Sequence, residues 1–258
     1  MEMTSYQPGT PSWVDLGTPD PEAASEFYSA LFGWEVSDMG PDAGGYRMAT
    51  LGGKNVAGIG PQTQAGMPPY WTTYITSADA DATTQAVRDA GGQVMVEPMD
   101  VFTSGRMAVF ADPAGAPFSI WQPQDHIGAE RVNETGTLCW NELQTRQVDE
   151  AKEFYTKVFG WGSETHGAGP GSYTEWKMDG KSIAGMMPMG PHMPPQVPSH
   201  WEAYFAVDDT DEAAARVTEL GGTVVMPPMD IEPGRFAVVQ DPQGATFSII
   251  KFKPVAAS

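Results

Sequence analysis

The stretch WVDLGTPDPEAASEFYSALFGWE at residues 13–35 returns later in the chain as WNELQTRQVDEAKEFYTKVFGWG at residues 140–162. Further along, ADPAGAPFSI at residues 111–120 returns as QDPQGATFSI at residues 240–249. Self-similarity over so much of the chain indicates one domain that occurs twice. Several single residues of the first copy also recur at the displacement of the opening stretch, namely Tyr46, Gly53, Gly58 and Pro61 as Tyr173, Gly180, Gly185 and Pro188.

Each copy begins with a short strand followed by a helix. In the first copy Asp20 is a candidate N-cap, Pro21 suits the first helical position, and Gly33 suits the helix end. A hairpin that turns at Gly52 and Gly53 comes next, because alternating residues flank the two glycines. A strand, a second helix and three more strands complete the copy. Each copy is therefore predicted to contain two modules, each made of a strand, a helix and three strands. The whole chain would then have four such modules.

The sequence predicts two domains, at residues 8–124 and 137–254, joined by a linker at residues 125–136. The linker itself reads DHIGAERVNETG, which is longer and more specific than a flexible spacer needs to be. Its His126 is expected to be an exposed or capping residue, since a single loop histidine usually is.

Composition restricts the partners of the chain. Its 33 acidic and 14 basic side chains give a net charge of −19, and no run of Lys or Arg offsets it. Nucleic acids and anionic membranes are therefore excluded as expected partners. Cys139 is the only cysteine, which excludes an intramolecular disulfide and a cysteine-based zinc site. The sequence shows neither a leader nor a stretch long enough to span a bilayer, so a cytoplasmic location is expected.

The module order resembles that of the vicinal oxygen chelate superfamily, also called glyoxalase, bleomycin resistance and dioxygenase proteins. The resemblance rests on FYxxxFGW at residues 27–34 and 154–161, and on DPxG before the last strand at residues 112–115 and 241–244. It covers nearly the whole chain, which looks like the two-domain bacterial branch common in actinobacteria. It implies an α+β fold with tandem duplicated domains, whose four βαβββ modules form two half-barrel pockets.

The resemblance also implies where metal ligands would stand. Metal-dependent members place His, Gln or Glu on the first and last strands of modules. In this sequence those slots fall at Trp13, Thr72, Trp140 and Glu202 on first strands, and near Gly60, Ser119, Met187 and Ser248 on last strands. A divalent catalytic site needs at least three nitrogen or oxygen ligands, and only Glu202 qualifies. We therefore expect no metal and no cofactor.

The second pocket carries the candidate catalytic residues. Side chains two apart on a strand share a face, so the family orientation would turn alternate residues into the cavity. The predicted catalytic set is Glu142, His200, Glu202 and Tyr204, beside the ligand-binding residues Trp140, Met187 and Ser248. Burial beside apolar rings raises a carboxyl pKa, which would let a Glu and His pair act as general base and acid.

The first pocket is predicted to hold a ligand rather than to react with it. Its predicted ligand-binding residues are Trp13, Asp15, Tyr70, Thr72, Tyr74 and Ser119. This set has one carboxylate and no histidine, unlike the set in the second pocket. The opposing interpretation is that Asp15 and Glu142 are structural carboxylates, hydrogen-bonded to backbone or hydroxyl groups.

Two functions remain open at this point. The first is a metal-independent lyase, isomerase or oxygenase-type enzyme that acts on an aromatic secondary metabolite or a small carbonyl compound. The second is a protein that binds or sequesters a hydrophobic small molecule, like drug-binding resistance members of the superfamily. The aromatic residues and the methionines favour a hydrophobic ligand in both cases. Either a monomer or a homodimer is compatible with four modules in one chain.

Overall fold

The chain folds into two mixed sheets of eight strands each. The computed structural model describes residues 1–62, 66, 68–191 and 193–253. The strands of the first sheet are β1 (Pro11–Thr18), β2 (Glu35–Asp38), β3 (Arg47–Leu51), β4 (Lys54–Pro61), β5 (Tyr70–Thr76), β6 (Gln93–Val101), β7 (Gly105–Ala111) and β8 (Pro117–Pro123). Those of the second are β9 (Leu138–Thr145), β10 (Gly162–His166), β11 (Tyr173–Met178), β12 (Lys181–Pro188), β13 (His200–Ala206), β14 (Thr223–Asp230), β15 (Gly234–Gln240) and β16 (Thr246–Phe252). The α-helices are α1 (Pro21–Phe32), α2 (Ala80–Asp89), α3 (Val148–Phe159) and α4 (Thr210–Glu219).

The strand orders confirm four βαβββ modules in two domains. They run β2-β3-β4-β1-β5-β8-β7-β6 and β10-β11-β12-β9-β13-β16-β15-β14. The opening strands of two modules lie antiparallel at the centre of each sheet, and each has the last strand of its own module parallel beside it. The predicted end of the second domain at residue 254 lies outside the described residues.

Local signals explain where α1 and the first hairpin begin and end. The Asp20 carboxylate accepts hydrogen bonds from the backbone N–H groups of the first turn at 3.1 Å, and Pro21 opens the helix. Gly33 ends α1 in the left-handed conformation with φ +74°. Gly52 and Gly53 join β3 to β4 with φ +60° and +73°, values that favour glycine. The predicted caps and hairpin are therefore confirmed.

The helices lie in cores that both domains share. One core joins α1 and its sheet to α4 and strands β13, β15 and β16, and the other joins α2 to α3. The two motifs of the family resemblance, FYxxxFGW and DPxG, contact each other between the two domains. Tyr28 donates to Asp241 at 3.1 Å, and Tyr155 donates to Asp112 at 3.2 Å, so a helix of each domain is tied to the DPxG turn of the other.

Candidate functional site

The second-domain inner face carries the predicted catalytic residues. We use this name for the face of the second sheet that bears Trp140, Glu142, Tyr204 and Ser248, which is turned away from the helices. Glu142 on β9 lies directly opposite Glu202 on β13, and Trp140 lies opposite Tyr204. Side chains in such antiparallel pairs have Cβ atoms about 5 Å apart. The register thus brings two carboxylates together, with exposed fractions of 3% for Glu142 and 6% for Glu202.

Glu142 is held by a group of donors. Gln144 Nε2 donates to Glu142 Oε1 at 2.7 Å, and the Tyr204 hydroxyl donates to the same oxygen at 3.1 Å. Burial, followed by the charge of Glu202, raises the pKa of Glu142 to about 8, although hydrogen bonds from Tyr204 and Tyr173 lower it. Glu142 is therefore protonated near neutral pH while it is hydrogen-bonded to Gln144 and Tyr204.

Glu202 has a different set of neighbours. Ser248 Oγ on β16 donates to Glu202 Oε1. Burial raises the pKa of Glu202, whereas Ser248, the charge of His200 and Gln144 lower it. His200 begins β13 two residues before Glu202, and its Nδ1 is 2.9 Å from the Pro198 carbonyl oxygen. The four predicted catalytic residues therefore share one region, with His200 at its half-buried edge.

Tyr173, for which the sequence predicts no role, also belongs to the second-domain inner face. Trp140 Nε1 donates to the Tyr173 hydroxyl at 2.8 Å. That hydroxyl fits because Gly185 faces it: a Cβ at Gly185 would lie 2.0 Å from the Tyr173 oxygen. Gly185 pairs with Glu142 across β12 and β9, so the tyrosine reaches the carboxyl through a space that only glycine leaves. The recurrence of Tyr46 and Gly58 as this pair was the available signal.

The first-domain inner face repeats this arrangement with one carboxylate. We use this name for the face bearing Trp13, Asp15, Tyr74 and Ser119. Tyr74 donates to Asp15 Oδ2 at 2.8 Å, and Asp15 lies opposite Thr72. Burial raises the pKa of Asp15 to about 6, although hydrogen bonds from Tyr74 and Thr72 lower it. Thr72 thus stands where the second domain has Glu202, and a carboxylate pair is replaced by a carboxylate and a hydroxyl.

The linker covers one end of the first-domain inner face. The His126 ring meets Trp13 edge-on, with ring centroids 4.6 Å apart, and lies 5.6 Å from Trp121, whose Nε1 donates to the His126 carbonyl at 2.7 Å. The Trp13 side chain is 3% exposed as a result, whereas Trp140 in the second domain is half-buried. Burial lowers the pKa of His126 to about 4, so its ring is neutral.

His126 therefore differs from its sequence-based expectation. It is neither an exposed loop residue nor a backbone cap, since its ring is part of the covering of the first-domain inner face. Its Nε2 is buried and has no hydrogen-bond partner. The linker is fixed further along by Ala129, whose N–H donates to the Ser12 carbonyl at 2.8 Å and whose carbonyl accepts from Tyr6 at 2.6 Å. A specific linker sequence thus has a specific packing role.

The other predicted ligand-binding residues also lie on the two inner faces. Tyr70 pairs with Gly17 at the end of β5, and it is half-buried. Ser119 pairs with Tyr74 and is fully buried with an unpaired Oγ. Met187 is half-buried on β12, opposite Gln144. The structure therefore brings each predicted set to a single face, and their roles in binding stay predictions.

The donor set of the second domain does not suit a divalent metal. Among the described residues, no three His, Cys, Asp or Glu side chains are grouped to hold an ion. Glu202 accepts from Ser248, and the family's other slots in this domain are occupied by Trp140 and Met187. An indole and a thioether do not replace the imidazole and carboxylate ligands that such a site requires. We derive no chemical step through a metal.

The fold and both inner faces define a tandem α+β protein of two βαβββ–βαβββ domains. A family model described as the Glyoxalase/Bleomycin resistance protein/Dioxygenase superfamily matches residues 10–120 and 126–249, and the chain belongs to this superfamily. "Putative glyoxylase CFP32" of Mycobacterium tuberculosis is 47% identical over 258 residues, which cover 97% of this chain and 98% of that protein. "Anthracycline biosynthesis protein DnrV" of Streptomyces peucetius is 41% identical over 268 residues, with coverage of 97% and 96%.

Solved structures share the fold at low identity. The Mn(II)-bound glyoxalase from Novosphingobium aromaticivorans aligns with a TM-score of 0.66 at 18% identity, over 95% of this chain and 82% of that one. A catechol 2,3-dioxygenase aligns with a TM-score of 0.65 at 15% identity, over 98% and 91%. These matches confirm the tandem architecture. Separately, no helix in the described part of the chain is long and apolar enough to cross a membrane.

Proposed function

We propose that this protein is a metal-independent acid–base enzyme of the superfamily, of the isomerase or lyase type, with its active site on the second-domain inner face. Its substrate is a hydrophobic or aromatic small molecule that carries a carbonyl group. The observation that carries the proposal is the directly opposed pair Glu142 and Glu202, buried beside Trp140. Two carboxyls held this close are expected to share a proton near neutral pH, because both cannot ionise cheaply.

A shared proton supplies an acid and a base at once. Burial and the charge of Glu202 raise the pKa of Glu142 to about 8, so Glu142 is assigned as the acid. Glu202 is assigned as the base, since Ser248 donates to it and the nearby His200 favours its ionised form. In an enolisation, Glu202 takes the proton from the carbon next to the carbonyl. The C–H electrons form the C=C bond, and the carbonyl oxygen receives a proton that Glu142 supplies.

The names of relatives support the class of substrate. One relative is named for anthracycline biosynthesis and another is named a putative glyoxylase. A polycyclic or a small carbonyl compound can be enolised where it carries a C–H bond on the carbon next to the carbonyl. The half-buried Trp140, Phe236 and Met187 provide apolar surface for such a ligand. The first-domain residues that are predicted to bind a ligand are assigned to ligand binding rather than to catalysis.

A binding protein is the second candidate function. Its support is the set of hydrogen bonds that Gln144 and Tyr204 donate to Glu142, because a carboxyl satisfied in this way also occurs as a structural group. In that case the same apolar surface would hold a ligand without turnover. Carboxyl-to-amide variants separate the two functions, since the apolar surface stays intact in each of them.

The test uses β-tetralone, an aromatic ketone with an enolisable carbon. Exchange of its α-protons in D₂O is followed by proton NMR, and its affinity by quenching of tryptophan fluorescence. We expect the wild-type protein to accelerate exchange, and Glu142→Gln or Glu202→Gln to lower the rate by about 100-fold or more with affinity retained. Asp15→Asn, at the position of the first domain that matches Glu142, reports whether that domain carries the reaction. The control that is expected to keep the exchange rate is Glu153→Gln, which removes an exposed carboxylate on α3.

Each alternative result has a defined meaning. Binding without exchange in the wild-type protein would replace the acid–base proposal with the binding proposal for this class of ligand. A rate that survives in Glu142→Gln would remove the assigned acid. A loss in Asp15→Asn together with retention in Glu142→Gln would move the active site to the first domain.

A further inference from the structure

We propose that Tyr173 is a catalytic residue that passes the proton between Glu142 and the ligand on the second-domain inner face. This inference rests on the proposed function and adds a residue to it. Its starting point is the set of hydrogen bonds to Glu142. Gln144 and Tyr204 both donate to Glu142 Oε1, so that oxygen already has two partners within the protein. A polar group beside Glu142 that is more exposed than the carboxyl would carry its proton to a ligand.

Tyr173 has the required exposure and chemistry. Among the partners of Glu142, Tyr204 is as buried as the carboxylates, at 6% exposed, whereas Gln144 and Tyr173 are half-buried. An amide such as Gln144 donates N–H but does not readily pass a proton on. A hydroxyl both donates and accepts, so it can receive one proton as it releases another. Tyr173 is the half-buried hydroxyl in this group of partners.

The surrounding residues fix the position of the Tyr173 oxygen. Trp140 Nε1 donates to it at 2.8 Å, which occupies one acceptor direction and leaves its own O–H free for another partner. Gly185 leaves the space in which the Tyr173 hydroxyl lies, because a Cβ there would lie 2.0 Å from this oxygen and 2.8 Å from Cζ of the same ring. Since Gly185 pairs with Glu142 in the register of β12 and β9, the oxygen is held above the strand position next to the carboxyl. Burial, followed by the charge of Glu142, raises the pKa of the Tyr173 hydroxyl, and the effect of that charge agrees with this placement.

The proton transfer balances without any further reactant. As Glu202 removes the α-proton, the carbonyl oxygen of the ligand takes the proton of the Tyr173 hydroxyl. The Tyr173 oxygen takes the proton of Glu142 in the same movement, so Tyr173 ends as it began. Glu142 has lost one proton, Glu202 has gained one, and the ketone has become an enol. The reverse sequence, with a solvent deuteron on Glu202, returns labelled ketone.

Tyr173→Phe removes the hydroxyl and keeps the ring. We expect β-tetralone exchange to fall by about 100-fold or more with affinity unchanged, because the acid loses its route to the ligand. Infrared spectra give a readout independent of turnover: the carboxyl band lost in Glu142→Gln identifies Glu142, and its pH titration reports ionisation. In Tyr173→Phe this titration should move to higher pH, because a donor that favours the charged form is gone.

Two other variants complete the experiment. Gly185→Ala keeps Tyr173 but pushes its hydroxyl away, so it should lower exchange in the same manner. Tyr46→Phe is the matched control in the first domain, where Trp13 donates to Tyr46 at 3.3 Å, and it should leave exchange unchanged. If Glu142→Gln loses exchange but Tyr173→Phe retains it, the relay is overturned and the proposed function stands. If Glu142→Gln retains exchange, Glu142 is not the acid, and both the proposed function and the proton relay through Tyr173 are contradicted.

Discussion

Replacing Glu142 with Gln should change how the stability of the protein depends on pH. The folded protein keeps the Glu142 proton up to about pH 8, whereas the ordinary pKa of a glutamate, which applies to the unfolded chain, is 4.5. Between these two values the folded state binds one more proton than the unfolded state. The free energy of unfolding therefore falls as pH rises. The contribution of this proton is fully present below pH 4.5 and is lost above about pH 8.

The size of the effect follows from the same two values. One pKa unit corresponds to about 1.4 kcal/mol, so the whole window could carry roughly 5 kcal/mol. This is an upper bound, because Glu142 and Glu202 titrate together and part of the change belongs to the pair. The amide that replaces the carboxyl in Glu142→Gln cannot ionise. The difference in unfolding free energy between this variant and wild type should therefore shift in favour of the variant as pH rises from 5 to 8, by up to roughly 4 kcal/mol.

Urea unfolding at pH 5, 6, 7 and 8, followed by tryptophan fluorescence, measures this difference. Because both cores that contain the helices include residues of both domains, we expect a single cooperative unfolding transition. The control is Glu153→Gln, which removes an exposed carboxylate on α3, 75% exposed, and its curve should run parallel to wild type. A Glu142→Gln difference that stays constant over this pH range would refute the assignment of a buried, protonated Glu142.

Two further predictions concern the packing that supports the site. Tyr28→Phe removes a buried hydroxyl that donates to Asp241, and it should cost about 1–3 kcal/mol in urea unfolding. Tyr155→Phe removes the matching hydrogen bond to Asp112 and should lower the free energy of unfolding by a similar amount. If both variants were as stable as wild type, these hydrogen bonds would not contribute to holding the domains together. His126→Ala leaves a void beside Trp13, so it should lower the melting temperature, and added imidazole should restore part of the loss in this variant but not in wild type. An imidazole effect of equal size in both would mean that the void does not bind it.

Much of the fold could be predicted because its signals are local or repeated. Asp20, Pro21 and Gly33 mark the ends of α1 through interactions with their own neighbours in the chain. The repeat transferred the helix end to Gly160 in the second domain, whereas Gln147 and Val148 stand where the first domain has Asp20 and Pro21. What the sequence could not supply was the pairing of Tyr28 with Asp241, since these residues meet only when a helix of one domain packs against a turn of the other. The sequence displays both motifs, but it does not show that they contact each other.

The candidate site divides along the same line. Alternation along β9 and β13 placed Glu142 and Glu202 on one face, and the antiparallel register made them direct neighbours. Tyr173 escaped prediction because it approaches Glu142 across the intervening strand β12, through the space above Gly185. His126 escaped because loop packing has no period that a sequence displays. The two carboxylates could be found from alternation along β9 and β13, whereas Tyr173 depends on how a third strand packs and His126 on how the linker packs.

The two domains show what the scaffold requires and what it merely tolerates. Both keep the tryptophan, the tyrosine and the glycine around the inner carboxyl, and they differ opposite it, where the first domain has Thr72 and the second has Glu202. The first domain demonstrates that a threonine satisfies the fold at this position. A second buried carboxyl adds desolvation and repulsion that the fold does not need. This difference between the domains supports the proposed role of Glu202, which lies beside the half-buried Trp140.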